Sequence, residues 1–193
     1  MNVPYVGPSP FSAEQTLFGR DADIKQLQWR LISDRIIVLY SPSGAGKTSL
    51  LMAKNGLLST LTTLFHVLPV QRIAQADDTD PVTSLLQRLD QDSFGPLRPN
   101  DTLLTYFNRI PLPESDPPKR LLLVLDQFEE VLTGNVTPEQ QKVFFKQLKE
   151  LLSNDERSIW LLISMREEYF SWLDDFRDDI PTRLNNTYRL NLL

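Results

Sequence analysis

The segment RIIVLYSPSGAGKTSL, residues 35 to 50, runs an apolar stretch into a Gly-rich turn that ends in Lys-Thr. Those residue types at that spacing suit a phosphate chain. Backbone N–H groups of Ser43, Gly44, Ala45 and Gly46 would face inward around an anion, at the positive end of a helix starting near Lys47. Lys47 would reach the outer phosphates as a point charge, and the Thr48 hydroxyl would complete the coordination of Mg²⁺. Ser49, next along, is counted with the nucleotide-binding set. The strict pattern G-x-x-x-x-G-K-[ST] asks for Gly at position 41, where this chain has Ser41. Pro42, Ser43 and Gly44 can supply a turn of similar tightness.

A cradle shows only binding; hydrolysis also needs an acid that orients the metal and a group that positions water. The run LLLVLDQFEE, residues 121 to 130, holds both types. Asp126, at a strand end, suits the Walker B role of holding Mg²⁺, and Glu129 or Glu130 would orient or deprotonate a water opposite the γ-phosphate. Glu129 is slightly favoured; the bland reading of DQFEE is an acidic helix start. Arg166 follows the apolar run IWLLISM and would contact the γ-phosphate, the structural alternative being an ion pair with Glu167, Glu168 or Asp174.

The elements that must position these groups alternate. Asp21 can cap a helix carrying Ile24, Leu27 and Leu31, and a strand follows over Ile36 to Tyr40. A helix is expected from about Lys47 to Leu58 and a buried strand over Leu64 to Val70. Asp80-Pro81 caps a helix with Val82, Leu85, Leu86 and Leu89 on one face. Asn100 or Asp101 starts another, with Leu103, Leu104 and Phe107 inward, before an exposed Pro-rich loop at 111 to 120. Leu121 to Asp126 lacks alternation, as a strand covered on both faces should. The capping box Thr137-Pro138-Glu139-Gln140 precedes a helix with Phe144, Leu148, Leu151 and Leu152 inward. A strand over Ile159 to Ser164, a helix over Glu167 to Phe176 and a last strand over Tyr188 to Leu193 complete the series. Alternation of this kind gives a parallel α/β sheet with helices on both faces. Ligands bind beyond the carboxyl ends of such strands, where the Gly-rich loop, Asp126 and Arg166 all fall.

At 193 residues the chain suits one domain or one domain with an appendage. It divides into an N-terminal strap and helix, residues 1 to 34, with Pro4, Pro8 and Pro10, and a core from 35 to 193. It has no cysteine, which excludes disulfides and thiolate metal sites. A net charge of -5 argues against a broad nucleic-acid surface. No apolar run approaches the ~20 residues of a membrane span, and the N-terminus lacks a signal-peptide layout, so a cytoplasmic location is expected. His66, the one histidine, lies in the apolar run LFHVLPV and reads as structural. The acidic group Asp174, Asp175, Asp178 and Asp179 reads as solvated surface, and Trp29, Trp160 and Trp172 as core or interface.

With YVGPSPFSAEQTLFGRDADI, YSPSGAGKTSLL, LLLVLDQFEEVL, ISMREEYF and the closing RLNNTYRLNLL, the chain resembles the STAND group of P-loop ATPases, in particular a bacterial novel-STAND subfamily. The resemblance implies a three-layer P-loop NTPase fold of the ASCE type, sheet order 5-1-4-3-2, with the Arg166 strand between those bearing the P-loop and Asp126. It implies that Phe18, Gly19 and Arg20 lie near the adenine and ribose, and that ATP or ADP with Mg²⁺ is bound. The absence of an Asn-Lys-x-Asp motif agrees with ATP over GTP. It further implies a regulatory switch in bacterial signalling or antiviral defence, homo-oligomeric on activation, with sensor and effector domains outside this chain. The group's helical and winged-helix segments do not follow the fifth strand here, so the chain is expected to be part of a longer protein. Two other classes compete: a nucleotide-locked scaffold without turnover, and a small-molecule kinase, disfavoured because no Arg-rich lid is apparent.

Overall fold

The computed structural model describes residues 14–73, 80–91, 96–112, 114–116, 118–133, 136–154, 159–183 and 185–192. Its strands are β1 (Ile36–Ser41), β2 (Phe65–Val67), β3 (Gln71–Arg72), β4 (Arg120–Asp126), β5 (Ile159–Arg166) and β6 (Thr187–Arg189). Its helices are α1 (Asp21–Ser33), α2 (Lys47–Met52), α3 (Leu57–Leu61), α4 (Pro81–Gln91), α5 (Leu103–Arg109), α6 (Glu129–Leu132) and α7 (Pro138–Leu152), with a 3₁₀ stretch over Glu167–Asp179.

Among the described residues the strands form one parallel sheet in the order β2-β4-β5-β1-β6, with β3 also paired to β4. This is the expected α/β arrangement with β5 between the P-loop strand and the Asp126 strand. It differs in one detail: of the strand expected over Leu64 to Val70 only β2 forms, and a second short strand, β3, follows beyond Pro69. Proline has no N–H to give the ladder, so pairing lapses there. It resumes with Gln71 opposite Leu125 and Arg72 opposite Asp126.

The unbroken apolar strands follow from burial on both faces. Ile36 and Val38 of β1, Leu121, Leu123 and Leu125 of β4, and Ile159, Leu161 and Ile163 of β5 join one core with α4, α5, α7 and the 3₁₀ stretch. Ile37 and Leu39, Leu122 and Val124, and Leu162 join the other, with α1, α2 and α3. Each such side chain contributes about 1.5–3 kcal/mol on burial. Among the described residues no helix is long and apolar enough to cross a membrane.

Side-chain caps set the starts of α4, α5 and α7, whereas α1, expected to be capped by Asp21, follows Arg20 with no side-chain cap bond. Asp80 Oδ1 accepts from the N–H groups of Val82 and Thr83, and the Thr137–Gln140 box closes as expected. α5 departs from expectation: its cap is Thr102, bonded reciprocally with Thr105. Asp101 is engaged elsewhere, both oxygens taken by Arg109 at 2.6 Å. The helix expected to run to Leu58 ends at Met52. Ala53 turns out of helical conformation at ψ 158, and Asn55 pairs with both backbone groups of Leu17 at 2.7 and 2.8 Å. The N-terminal segment is thus stitched into the gap between α2 and α3, while the strap's first 13 residues lie outside the described part. β6 is shorter than Tyr188 to Leu193; Leu190 continues it by one bond to Tyr40, and Leu193 is outside the described residues. Trp160 packs on the sheet beneath the Arg120 guanidinium, but Trp29 and Trp172 are exposed, 70% and 49%, so neither is core.

Candidate functional site

The parallel register brings the sequence-distant groups to one edge. Ser41 lies opposite Arg166, the last residue of β5, and Arg72 opposite Asp126. Leu125 pairs with Ile163, which sets the next residues, Asp126 and Ser164, side by side.

Between β1 and α2 the loop turns on two glycines. Gly44 has φ 80 and Gly46 has φ 87, the left-handed region in which a Cβ is strained. A Cβ on either would meet nothing within 4 Å, so both border open space. Ser43, Gly44 and Gly46 are exposed there, Ala45 is buried, and Ser49 is buried on α2. Ser41 is not among the positive-φ residues, so glycine is not demanded at that position. Its hydroxyl accepts from Lys47 Nζ at 2.8 Å and donates to the Pro42 carbonyl at 2.9 Å.

Lys47 is held at the loop, and burial pushes its ammonium below the ordinary lysine value; Glu129, then Asp126, oppose the shift. Asp126 is buried, 1% exposed, yet satisfied: Ser164 Oγ donates to Oδ1 at 2.7 Å and Thr48 Oγ1 to Oδ2 at 2.8 Å. Arg72 Nε stands 3.9 Å from the same Oδ2. A hydroxyl and a carboxylate so joined are the hard oxygen donors that Mg²⁺ prefers. Among the described residues no group of three His, Cys, Asp or Glu could hold a metal, so the phosphates would have to supply further oxygens.

After β4 the chain reverses sharply at Gln127, φ 55, and Phe128 N–H bonds to the Ser164 carbonyl. That turn starts α6 with Glu129 facing in and 8% exposed. Its Oε2 accepts from the Arg166 backbone N–H and its Oε1 faces Arg166 Nε, both at 3.2 Å. The structural partner of Arg166 is therefore Glu129 and not the expected Glu167, Glu168 or Asp174, the first and last of which pair with Arg189 and Arg177. Glu130 is only partly buried, and burial, then the neighbouring Glu129, raises its carboxyl above the usual range.

Gly19 has φ 75 and turns the chain into α1. Arg20 is 5% exposed and lies in the wall of the loop, donating to the Ala45 and Asn191 carbonyls and to Asp23. Phe18 is exposed, 57%.

Residues 4–188 match the family model described as Novel STAND NTPase 1. The chain belongs to that family. Two solved structures of the Aeropyrum pernix ORC2 protein, an ADPNP-ADP complex and an ADP form, share the fold of this STAND NTPase with TM-score 0.56 at 16% identity. The likeness covers 96% of this chain and 50% and 51% of theirs, so the chain spans about half the length of the solved structures it matches. No curated protein matches it.

Two neighbours of Asp126 in this STAND NTPase were not legible as such. Ser164 and Arg72 sit 38 residues after and 54 before Asp126, and only the strand register brings them to it. Ser164 does lie two residues before Arg166 near the end of an apolar run, whereas Arg72 falls beyond the strand expected over Leu64 to Val70.

Proposed function

We propose that this chain is an ATP-binding and hydrolysing regulatory switch module of a STAND-type signalling or defence protein. The observation that carries the reading is the 2.8 Å bond from Thr48 to Asp126, which joins the phosphate loop to the strand acid beside Lys47. In this reading the amides of Ser43, Gly44, Ala45 and Gly46, with Lys47, hold the phosphates, and Thr48 and Asp126 hold Mg²⁺. Bound Mg²⁺ supplies charge neutralisation between the β- and γ-phosphates. ATP and ADP are the nucleotides that family membership and the ADP-bound ORC2 structures support. Residues 35 to 193 are read as the NTPase core, with α1 and Arg20 before it reaching the loop. Sensor and effector domains, oligomerisation on activation and a cytoplasmic setting belong to the full switch.

Glu129 is the residue assigned to orient the attacking water, since it faces inward just after Asp126 and is fixed against Arg166 at the end of β5. Arg166 is assigned to the γ-phosphate. Phosphate release by wild type, Glu129→Gln and Glu130→Gln tests these roles: Glu129→Gln abolishes turnover and Glu130→Gln retains it. Equal background in all three supports the second reading, a nucleotide-locked scaffold. That reading has its own observation, because Arg166 engages both oxygens of Glu129 and withholds them from water.

A further inference from the structure

Arg20 spends its guanidinium on the phosphate loop's backbone. Nη2 gives its two hydrogens to two carbonyls, Ala45 at 2.9 Å and Asn191 at 2.8 Å. Nη1 donates to Asp23 Oδ2 at 3.1 Å, and the other Asp23 oxygen accepts the Tyr188 hydroxyl at 2.6 Å. The fork is therefore fixed from α1 and from the end of the sheet, and it reaches the loop from the wall side.

The Ala45 carbonyl and the Gly46 N–H belong to one planar trans peptide, in which they point in opposite directions. A donor seated on Ala45 O therefore directs the Gly46 N–H away from itself, and Gly46 is exposed, with open space where a Cβ would stand. Glycine at 44 and 46, φ 80 and 87, leaves the intervening backbone free to rotate. Loop composition alone does not choose the orientation.

We propose that Arg20 is a positioning residue that holds the Ala45–Gly46 peptide with its N–H turned into the phosphate cradle. The proposal rests on the nucleotide-binding reading above, and it gives Arg20 a task through the loop instead of contact with adenine or ribose. The same nitrogen also grips Asn191, so the cradle's geometry is tied to the chain that follows β6.

The test compares ADP binding by wild type, Arg20→Lys and Lys47→Ala, with the Gly46 amide followed by NMR. Lysine keeps the charge but lacks the fork that spans two carbonyls and a carboxylate. Arg20→Lys is expected to weaken ADP binding by about tenfold, the worth of a hydrogen bond from a charged donor. The fold is retained by circular dichroism, and the ADP-induced downfield shift of Gly46 N–H is lost. Arg20→Lys with wild-type affinity and an unchanged Gly46 shift, while Lys47→Ala no longer binds, overturns the role of Arg20 alone. Should Arg20→Lys not fold, a Gly46 resonance in wild type that does not move on ADP binding overturns it equally. Full binding by Lys47→Ala would remove the cradle reading and this inference together.

Discussion

Ser164→Ala removes one hydroxyl and so measures how the buried acid of the site is held. Ser164 is fully buried and Asp126 is 1% exposed, with a 2.7 Å bond between Oγ and Oδ1. Oδ2 keeps its bond from Thr48, but among the described residues Ser164 is the donor to Oδ1, so the substitution strands one oxygen of a buried carboxylate. A hydrogen bond to a charged group is worth about 1.5–3 kcal/mol, and an acceptor left unsatisfied in the interior puts the loss at the upper end. Arg72, half exposed at 3.9 Å, returns less than about 1 kcal/mol. A net loss of about 2–3 kcal/mol follows, and at about 2–4 °C per kcal/mol for a domain of this size Tm falls by about 4–12 °C. Thermal melts followed by circular dichroism read it directly. A double-mutant cycle with Asp126→Asn assigns it, with an expected coupling of at least about 1 kcal/mol. A wild-type melting temperature for Ser164→Ala, or the same penalty in the Asp126→Asn background, refutes the reasoning.

Gly56→Ala places a Cβ 2.7 Å from the Leu50 carbonyl and 2.9 Å from Ala53 N and O, all backbone, and costs about 1–3 kcal/mol in a urea melt. Gly44→Ala, at φ 80 with open space around it, loses about 1 kcal/mol to strain, and equal costs for the two would contradict the assignment. Arg109 bonded to both oxygens of Asp101 holds that carboxyl well below the usual carboxylate range. Because the folded value is depressed, the stabilisation is present above about pH 4 and is lost as pH falls toward the folded value. Melting temperature against pH should show that acid limb in wild type and not in Asp101→Asn. Arg166→Ala, whose ion pair is half exposed on the arginine side, changes stability by less than about 1 kcal/mol. It should nevertheless reduce the preference for ATP over ADP in a competition titration; an unaltered preference separates Arg166 from the γ-phosphate.

The groups legible in the sequence are those whose partners are near in the chain. Lys47 and Thr48 follow their glycines directly, and Asp126 ends an unmistakable doubly covered strand, so loop, acid and sheet class could be read together. The union of Glu129 with Arg166, and of Asp126 with Ser164, depends on β4 lying against β5, information that no local window contains. Two other differences have a distant and a near cause respectively. α2 stops early because Asn55 is recruited by Leu17, 38 residues away, and Asp101 cedes the α5 cap to Thr102 because Arg109 takes both of its oxygens. Ser41, a mismatch to the motif, turned out to receive the Lys47 ammonium.

Lys47→Ala probes the central claim most directly. Burial already disfavours the Lys47 charge, and Ser41 keeps its bond to Pro42 when the ammonium is gone, so the variant should fold. Calorimetric titration of ATP with Mg²⁺ is expected to show binding to wild type, none to Lys47→Ala, and weaker binding to wild type when the metal is chelated. Undiminished binding by a folded Lys47→Ala protein would contradict the account.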